Sequence, residues 1–359
     1  MNLRWLLLFI PIALALAWLK SNPILVFLVS ALAIVPLAGL MGDATEALSR
    51  FLGSTLGGLL NATLGNAPEI IIGFFALKQG LVDMVKASIT GSIVGNLLFG
   101  LGISILAGGL KSPRKLMHFD VMAARVHGGT LLLAMFGLII PAVFNFSTNS
   151  EHEISVHIAA VLFLGYLVSV VVTLTTGRSD AETNTGAEQQ HLAEPGAEEP
   201  GWSRNKALLI LAAVAVGLAV MSEIMTDAID PASKSLGLTP LFAGVFLLAM
   251  VGNTSELMNS VRFARQNQLD LSLGVTVGGS VQVALLVVPL LVLFGLILGQ
   301  NMNLLFSQFE LVAIILTVIA VINVLQAGLV RWAAGVMLIA VYLMLGFGFY
   351  YAPASMAGG

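Results

Sequence analysis

Two glutamates carry the chemistry that this sequence suggests. Glu69 stands in Gly65-Asn66-Ala67-Pro68-Glu69 and Glu256 in Gly252-Asn253-Thr254-Ser255-Glu256, each inside a long apolar run. An isolated acid in hydrocarbon costs about 3 kcal/mol even on lenient insertion scales, so acids at such depth are candidates for function. Neutral oxygens surround them in the sequence: Asn66 and Asn253, Ser92 and Asn96 in GSIVGN, and Ser280 and Gln282 in GGSVQV. Glycine with proline or serine beside each glutamate weakens the helix and frees backbone carbonyls. Two carboxylates with neutral oxygens suit Ca²⁺, which takes about six to eight hard oxygen ligands in a forgiving geometry. With 5 histidines and no cysteine, a Zn²⁺ or Cu⁺ preference is not expected. There is no HExxH, no GxSxG and no histidine cluster, so no catalytic residues are assigned and an enzyme is not expected.

The same two acids provide for exchange. Ionised and empty, they would hold two negative charges in a low dielectric. Protons or Ca²⁺ neutralise that charge, so the two compete for the same oxygens, and the competition couples them. A loaded site is charge-compensated and free to change its exposure; an empty ionised one is trapped.

Such residues need an apolar scaffold, and the composition supplies one. Of 359 residues, 58 % are hydrophobic and 10 % charged, and the mean hydropathy is +0.97. That is too few charges to cover a water-exposed surface, so the outside must face a bilayer. The net charge of -3 and the scattered basic residues give no sign of nucleic acid. Apolar runs fall at about 3–19, 24–42, 56–77, 84–107, 120–143, 154–175, 206–225, 238–261, 271–298, 308–328 and 332–350. The fold class expected is therefore an all-α integral membrane protein of about eleven transmembrane helices. The run after Arg4 is read as a retained first helix over 1–22 rather than a cleaved signal. Residues 177–205, with six acids and two prolines, form an acidic linker that cannot bury a core. It separates 23–176 from 206–359.

These two stretches resemble each other. The shift that carries Glu69 onto Glu256 superposes the two Gly-Asn-x-x-Glu motifs, and it also pairs Lys78-Gln79 with Arg265-Gln266, Asp83 with Asp270 and Gly91 with Gly278. A slightly shorter shift pairs Asp43 with Asp227 and Glu46 with Asp230. Five spans per half is an odd number, so the halves enter the membrane in opposite senses. Inverted repeats of this kind belong to secondary transporters, with the site at the midplane where the repeats meet. Asp43, Glu46, Asp227 and Asp230, near span ends, are assigned to ion access or gating or else to solvated helix ends; Asp83 and Asp270 are expected to cap helices. If odd spans start on one side, that side holds Arg4, Arg50, Lys111, Arg114, Lys115, Arg178, Arg204, Lys206, Arg262, Arg265 and Arg331. The other holds Lys20, Lys78, Lys86 and Lys234, which puts the N-terminus and the linker in the cytoplasm.

The segments GNAPEIIIGFFALKQGLVDMVKASITGSIVGNLLFGLG and GNTSELMNSVRFARQNQLDLSLGVTVGGSVQVALLVVP resemble the two α-repeats of the CAX-type Ca²⁺/H⁺ antiporters of the cation/Ca²⁺ exchanger superfamily. ALAIVPLAGLMGDATEAL and MSEIMTDAIDPASKSLG resemble the stretches before those repeats. The resemblance implies eleven helices, with the second to sixth and seventh to eleventh as inverted repeats and the linker cytoplasmic. It implies Glu69 and Glu256 as alternate Ca²⁺ and proton sites, with Asn66, Asn253, Ser92, Ser280 and Gln282 as supporting ligands. Family motifs commonly read GNA-[TV]-E and GNAAE; Pro68 and Thr254-Ser255 depart from them. Exchange using Na⁺ or K⁺ as counter-ion, Mn²⁺ as substrate, or a cation channel are the competing readings. No cofactor is expected beyond transported Ca²⁺. The expected surroundings are a lipid bilayer, a prokaryotic plasma membrane by preference, with a homo-oligomer left open.

Overall fold

The computed structural model describes residues 3–112, 115–145, 151–175 and 202–352. After a 3-10 turn at Leu3–Leu8 come α1 (Phe9–Trp18) and a long α2 (Pro23–Gly65). Then follow α3 (Ala67–Lys78), α4 (Val82–Lys111), a short strand β1 (Leu116–His118), α5 (Val121–Asn145) and α6 (Glu151–Thr175). The second half contains α7 (Arg204–Ser235), α8 (Pro240–Gly252), α9 (Thr254–Arg265) and α10 (Leu269–Leu298). It ends with α11 (Gln308–Leu325), β2 (Leu329–Arg331) and α12 (Trp332–Tyr351). The polar breaks between apolar runs supply the caps. Asn22 accepts from the Ile24 amide at 2.9 Å with Pro23 in the first turn, and Ser307 with Glu310 forms a reciprocal capping box on α11.

Among the described residues, 8 helices are long and apolar enough to cross a membrane, or up to 10 if each of two bent pairs counts as one span. The expected count of eleven is therefore not reached. The remaining apolar run forms the short helix Trp5–Trp18, below the ~20 residues a straight span needs. The two bent pairs are the ones carrying the glutamates: Leu59–Gly65 meets α3 at 40° and α8 meets α9 at 61°. The acidic linker lies outside the described residues except for its last few positions.

The repeat is visible in the helix boundaries. The shift that carries Glu69 onto Glu256 also carries both ends of α3 onto those of α9, and both ends of α4 onto those of α10. The long helices α2 and α7 run antiparallel: Leu37 packs on Gly217, while Ala47 and Leu48 cluster with Ala207. That is the arrangement an inverted pair requires.

α4 and α10 form the centre, with 67 % and 56 % of their most apolar windows buried, against 22 % in α6 and α12. The outer helices turn Leu133, Val161, Leu209 and Met337 outward, side chains that only a lipid environment tolerates in such number. Gly91 lets α4 reach α8: a methyl group there would collide with the Val245 carbonyl oxygen and lie 2.7 Å from the Ala249 Cβ. β1 and β2 pair antiparallel, with Leu116 opposite Arg331 and Met117 opposite Val330.

Candidate functional site

Each bent pair breaks at an asparagine. Asn66 (φ -93, ψ 10) and Asn253 (φ -84, ψ 3) leave helical geometry for one residue, and a new helix starts at Ala67 or Thr254. Glu69 and Glu256 are thereby the third residues of their helices, in first turns whose free amides favour negative charge. Pro68 fits the first turn of α3 because a helix needs no amide donor there. One helix interruption thus places both an asparagine and a carboxylate.

The breaks are tied to the opposite repeat. Asn66 Nδ2 donates to Gln282 Oε1 on α10 at 2.7 Å, and Asn253 Nδ2 donates to the Ser92 carbonyl on α4 at 3.2 Å. Asn96 Nδ2 donates to Glu256 Oε2 at 2.5 Å, again from α4 to the other half. These side chains sit where helical regularity is relaxed: Gly95–Gly100 in α4 is a π-turn containing Asn96, and Gln282 lies between the π-turns Gly274–Gly278 and Val283–Val287 of α10. Glu69 packs against Gly252, four residues before Glu256 in the other half.

The two halves differ in how their glutamates are satisfied. Glu256 is half-buried and held by Asn96. Glu69 is only 9 % exposed, and its Oε2 has no hydrogen-bond donor; the Oδ1 of buried Asn253 likewise has no partner. Buried acceptors without donors are costly unless a cation or proton completes them. Glu69 borders a cavity of about 20 Å³ lined also by Ser88, Ser92 and Gly252, room for about one water-sized particle. A second cavity of about 20 Å³ reaches Asn96 and Asn253 beside Phe99 and Tyr342.

Of the residues expected from the sequence, Glu69, Glu256, Asn66, Asn253, Ser92, Asn96 and Gln282 come together. Ser280 is buried on α10 next to Gly279, its hydroxyl donating to the Thr276 carbonyl at 2.8 Å. Asn96, expected as a neutral oxygen donor, instead offers its amide to Glu256. Asp43, Glu46, Asp227 and Asp230 lie on α2 and α7, away from these contacts. Glu46 pairs with Arg50 at 3.1 Å, Asp230 with Lys234 at 2.7 Å, and Asp227 accepts from Gln79. Asp83 and Asp270 lie in first turns rather than loops, and neither caps its own helix; Asp270 accepts from the Asp120 amide at 2.7 Å instead.

Sequence reasoning missed two glycines. A methyl group at Gly279 would stand 3.1 Å from both carboxylate oxygens of Glu256, and one at Gly252 would stand 3.3 Å from Glu69 Cγ. Each carboxylate is accommodated by a missing side chain on the partner helix. The GGS and GN sequences held that signal, but a glycine contact becomes visible only once the opposing helix is known.

Comparison with known proteins agrees with this architecture. The family model described as sodium/calcium exchanger protein matches residues 22–175 and 206–351, leaving out the acidic linker. A protein of Aphanothece halophytica named Ca²⁺/H⁺ antiporter is 40 % identical over 97 % of this chain and 96 % of its own. Among solved structures, native YfkE superposes with a TM-score of 0.82 at 30 % identity, over 98 % of this chain and 100 % of that one. The H⁺/Ca²⁺ exchanger CAX gives 0.72 at 17 % identity over 99 % and 89 %, a likeness of fold.

Proposed function

This chain belongs to the sodium/calcium exchanger protein family, and from that membership we propose that it is a secondary antiporter, not an enzyme, exchanging Ca²⁺ for H⁺ across a membrane. The observation that carries the reading is the pair of glutamates at matched helix breaks, one with a buried oxygen that has no donor. Ca²⁺ is the substrate, and Glu69, Glu256, Asn66, Asn253, Ser92, Ser280, Gln282 and Asn96 are the candidate ligands and their supports. One Ca²⁺ neutralises two carboxylates as fully as two protons do, so either load gives a site of the same charge.

The packing supports alternating access. The glutamates sit on α3 and α9, while Asn66 bonds Gln282 on α10, and Asn253 and Glu256 bond Ser92 and Asn96 on α4. Movement of one repeat against the other changes which side reaches the site without dismantling either half. Asp43, Glu46, Asp227 and Asp230 are proposed to line ion access. The basic residues support an N-terminus and linker in the cytoplasm, and the bacterial relative supports a prokaryotic plasma membrane.

The test is Ca²⁺ uptake into sealed vesicles under an imposed pH gradient, with lumen pH followed by a dye. Uptake that discharges the gradient, and is lost in Glu69→Gln and in Glu256→Gln, is expected. Uptake indifferent to the gradient, or surviving both substitutions, overturns the reading; dependence on a Na⁺ or K⁺ gradient would point to those counter-ions instead.

A further inference from the structure

A chain of buried hydroxyls links three helices on one side of the site. Ser104 Oγ of α4 lies 2.6 Å from Ser260 Oγ of α9, and Ser260 Oγ lies 2.9 Å from Ser272 Oγ of α10. All three side chains are fully buried. At its outer end, Ser272 is two residues from exposed Asp270, at the start of α10. Ser260, the middle member, is one helical turn beyond Glu256 on α9, and Ser104 is a side branch that bonds Ser260 from α4. The face of α10 that carries Ser272 continues through Thr276 to Ser280, beside the Gly279 that abuts the Glu256 carboxylate. Both helices therefore lead from the hydroxyls to the same carboxyl group.

The opposite repeat supplies the comparison. In the register that matches Glu69 with Glu256, the counterparts of Ser260, Ser272 and Ser104 are Gly73, Val85 and Leu291. There Leu291 closes on Gly73: a methyl group on Gly73 would lie 2.6 Å from its Cδ2. Thr276 likewise corresponds to Ile89. The same packing position is thus a hydrogen-bonded hydroxyl chain on the Glu256 side and an apolar plug on the Glu69 side. Helix packing alone does not require hydroxyls there, since the equivalent contact is made by hydrocarbon and glycine.

We propose that Ser260 and Ser272, with Ser104 holding the Ser260 hydroxyl in place, form a relay that carries protons, but not Ca²⁺, between Glu256 and the membrane face where α9 ends and α10 begins. This rests on the exchange reading above. A hydroxyl both donates and accepts, so a proton taken up on one Oγ is matched by release of that hydroxyl's own hydrogen to the next. No net charge rests on the serines, and Glu256 is the terminal acceptor or donor. The last step, from Ser260 to the carboxyl, spans about one 5.4 Å turn, a gap bridged by one water or by rotation of the glutamate. The three hydroxyls are fully buried and 2.6 and 2.9 Å apart, too close for a hydrated cation to pass between them, so Ca²⁺ must use another route. Under the proposed orientation this face, with Lys111, Arg262 and Arg265, is cytoplasmic, and the relay is where protons leave.

The experiment compares two fluxes in the same vesicles: Ca²⁺ uptake driven by a pH gradient, and exchange of radioactive for unlabelled Ca²⁺ at equal pH. The variants are Ser104→Ala, Ser260→Ala, Ser272→Ala and the hydroxyl-retaining Ser260→Thr. Loss of a positioned proton carrier is expected to slow pH-driven uptake by at least about tenfold in Ser260→Ala and Ser272→Ala, and by less in Ser104→Ala, which removes only a support of Ser260. Ca²⁺ self-exchange should stay near the parent value, which also shows that these variants fold and bind, and Ser260→Thr should recover much of the uptake. A parallel fall in both fluxes would make the serines a packing device, and no change in either would leave the relay without a role; each overturns the proposal. If the parent shows Ca²⁺ self-exchange but no pH-driven uptake, the exchange reading itself fails first.

Discussion

Gly279→Ala tests the geometry of the site most directly. The added methyl group would stand 3.1 Å from both oxygens of Glu256 and 3.3 Å from its Cδ, a few tenths of an ångström inside ordinary contact. The carboxylate cannot yield freely, because Asn96 holds Oε2 at 2.5 Å from the other side. Overpacking of this kind costs about 1–3 kcal/mol. Carried into ion binding, that is about a fivefold to 150-fold weaker affinity. Gly252→Ala meets Glu69 Cγ at 3.3 Å and its Oε1 at 3.6 Å, so its effect should be smaller. Gly278→Ala, one residue away, meets nothing within 4 Å and serves as the control. The assay is the half-saturating Ca²⁺ concentration for transport into vesicles at fixed pH. The expected order of increase is Gly279→Ala, then Gly252→Ala, with Gly278→Ala unchanged. If Gly279→Ala and Gly278→Ala behave alike, Glu256 is not a ligand held against α10 and the reasoning fails.

Because protons and Ca²⁺ compete for Glu69 and Glu256, lowering the pH on the Ca²⁺ side should raise the half-saturating Ca²⁺ concentration without lowering the maximal rate; a change confined to maximal rate would argue for separate sites. Glu310 is 3 % exposed, accepts from the Ser307 amide at 2.8 Å and from Thr90 at 3.2 Å, and lies within reach of the charge on buried Lys86. Glu310→Ala should destabilise the fold by about 1–3 kcal/mol by leaving the buried Thr90 hydroxyl and the Ser307 amide without their acceptor, seen as a lowered Tm in detergent, whereas an unchanged Tm would mean that another acceptor replaces the carboxylate. Gly91→Ala forces α4 and α8 apart at the Val245 carbonyl and should reduce the yield of folded protein well below that of Gly39→Ala, where a methyl group meets nothing within 4 Å; equal yields would contradict the close approach.

Much of this fold could be read before any coordinates. The shift that aligned the two glutamate motifs also aligns the ends of α3 with α9 and of α4 with α10. The breaks at Asn66 and Asn253 fall where glycine, proline and serine weakened the helical pattern. Ten apolar runs became long helices or bent pairs, and the first became a short helix, because the number of apolar residues in a row sets how far a helix can reach. Less legible were the acids outside the site. Asp83 and Asp270 read as capping residues, yet the group Asp270 satisfies belongs to Asp120, 150 positions earlier.

The sequence by itself determined the membrane environment and the repeat and singled out two carboxylates as the candidate site, since each follows from local composition or from periodicity along one chain. Only the tertiary structure decided how the halves differ. Asn96 binds Glu256, while its counterpart region turns Gln282 to Asn66 and leaves Glu69 Oε2 without a donor. Hydroxyls meet at Ser104, Ser260 and Ser272, where Leu291 closes on Gly73 in the other half. The physical reason is that a side chain's partner depends on the rotation and depth of a helix far away in sequence. Near-identical motifs, placed against different neighbours, are therefore completed by different groups.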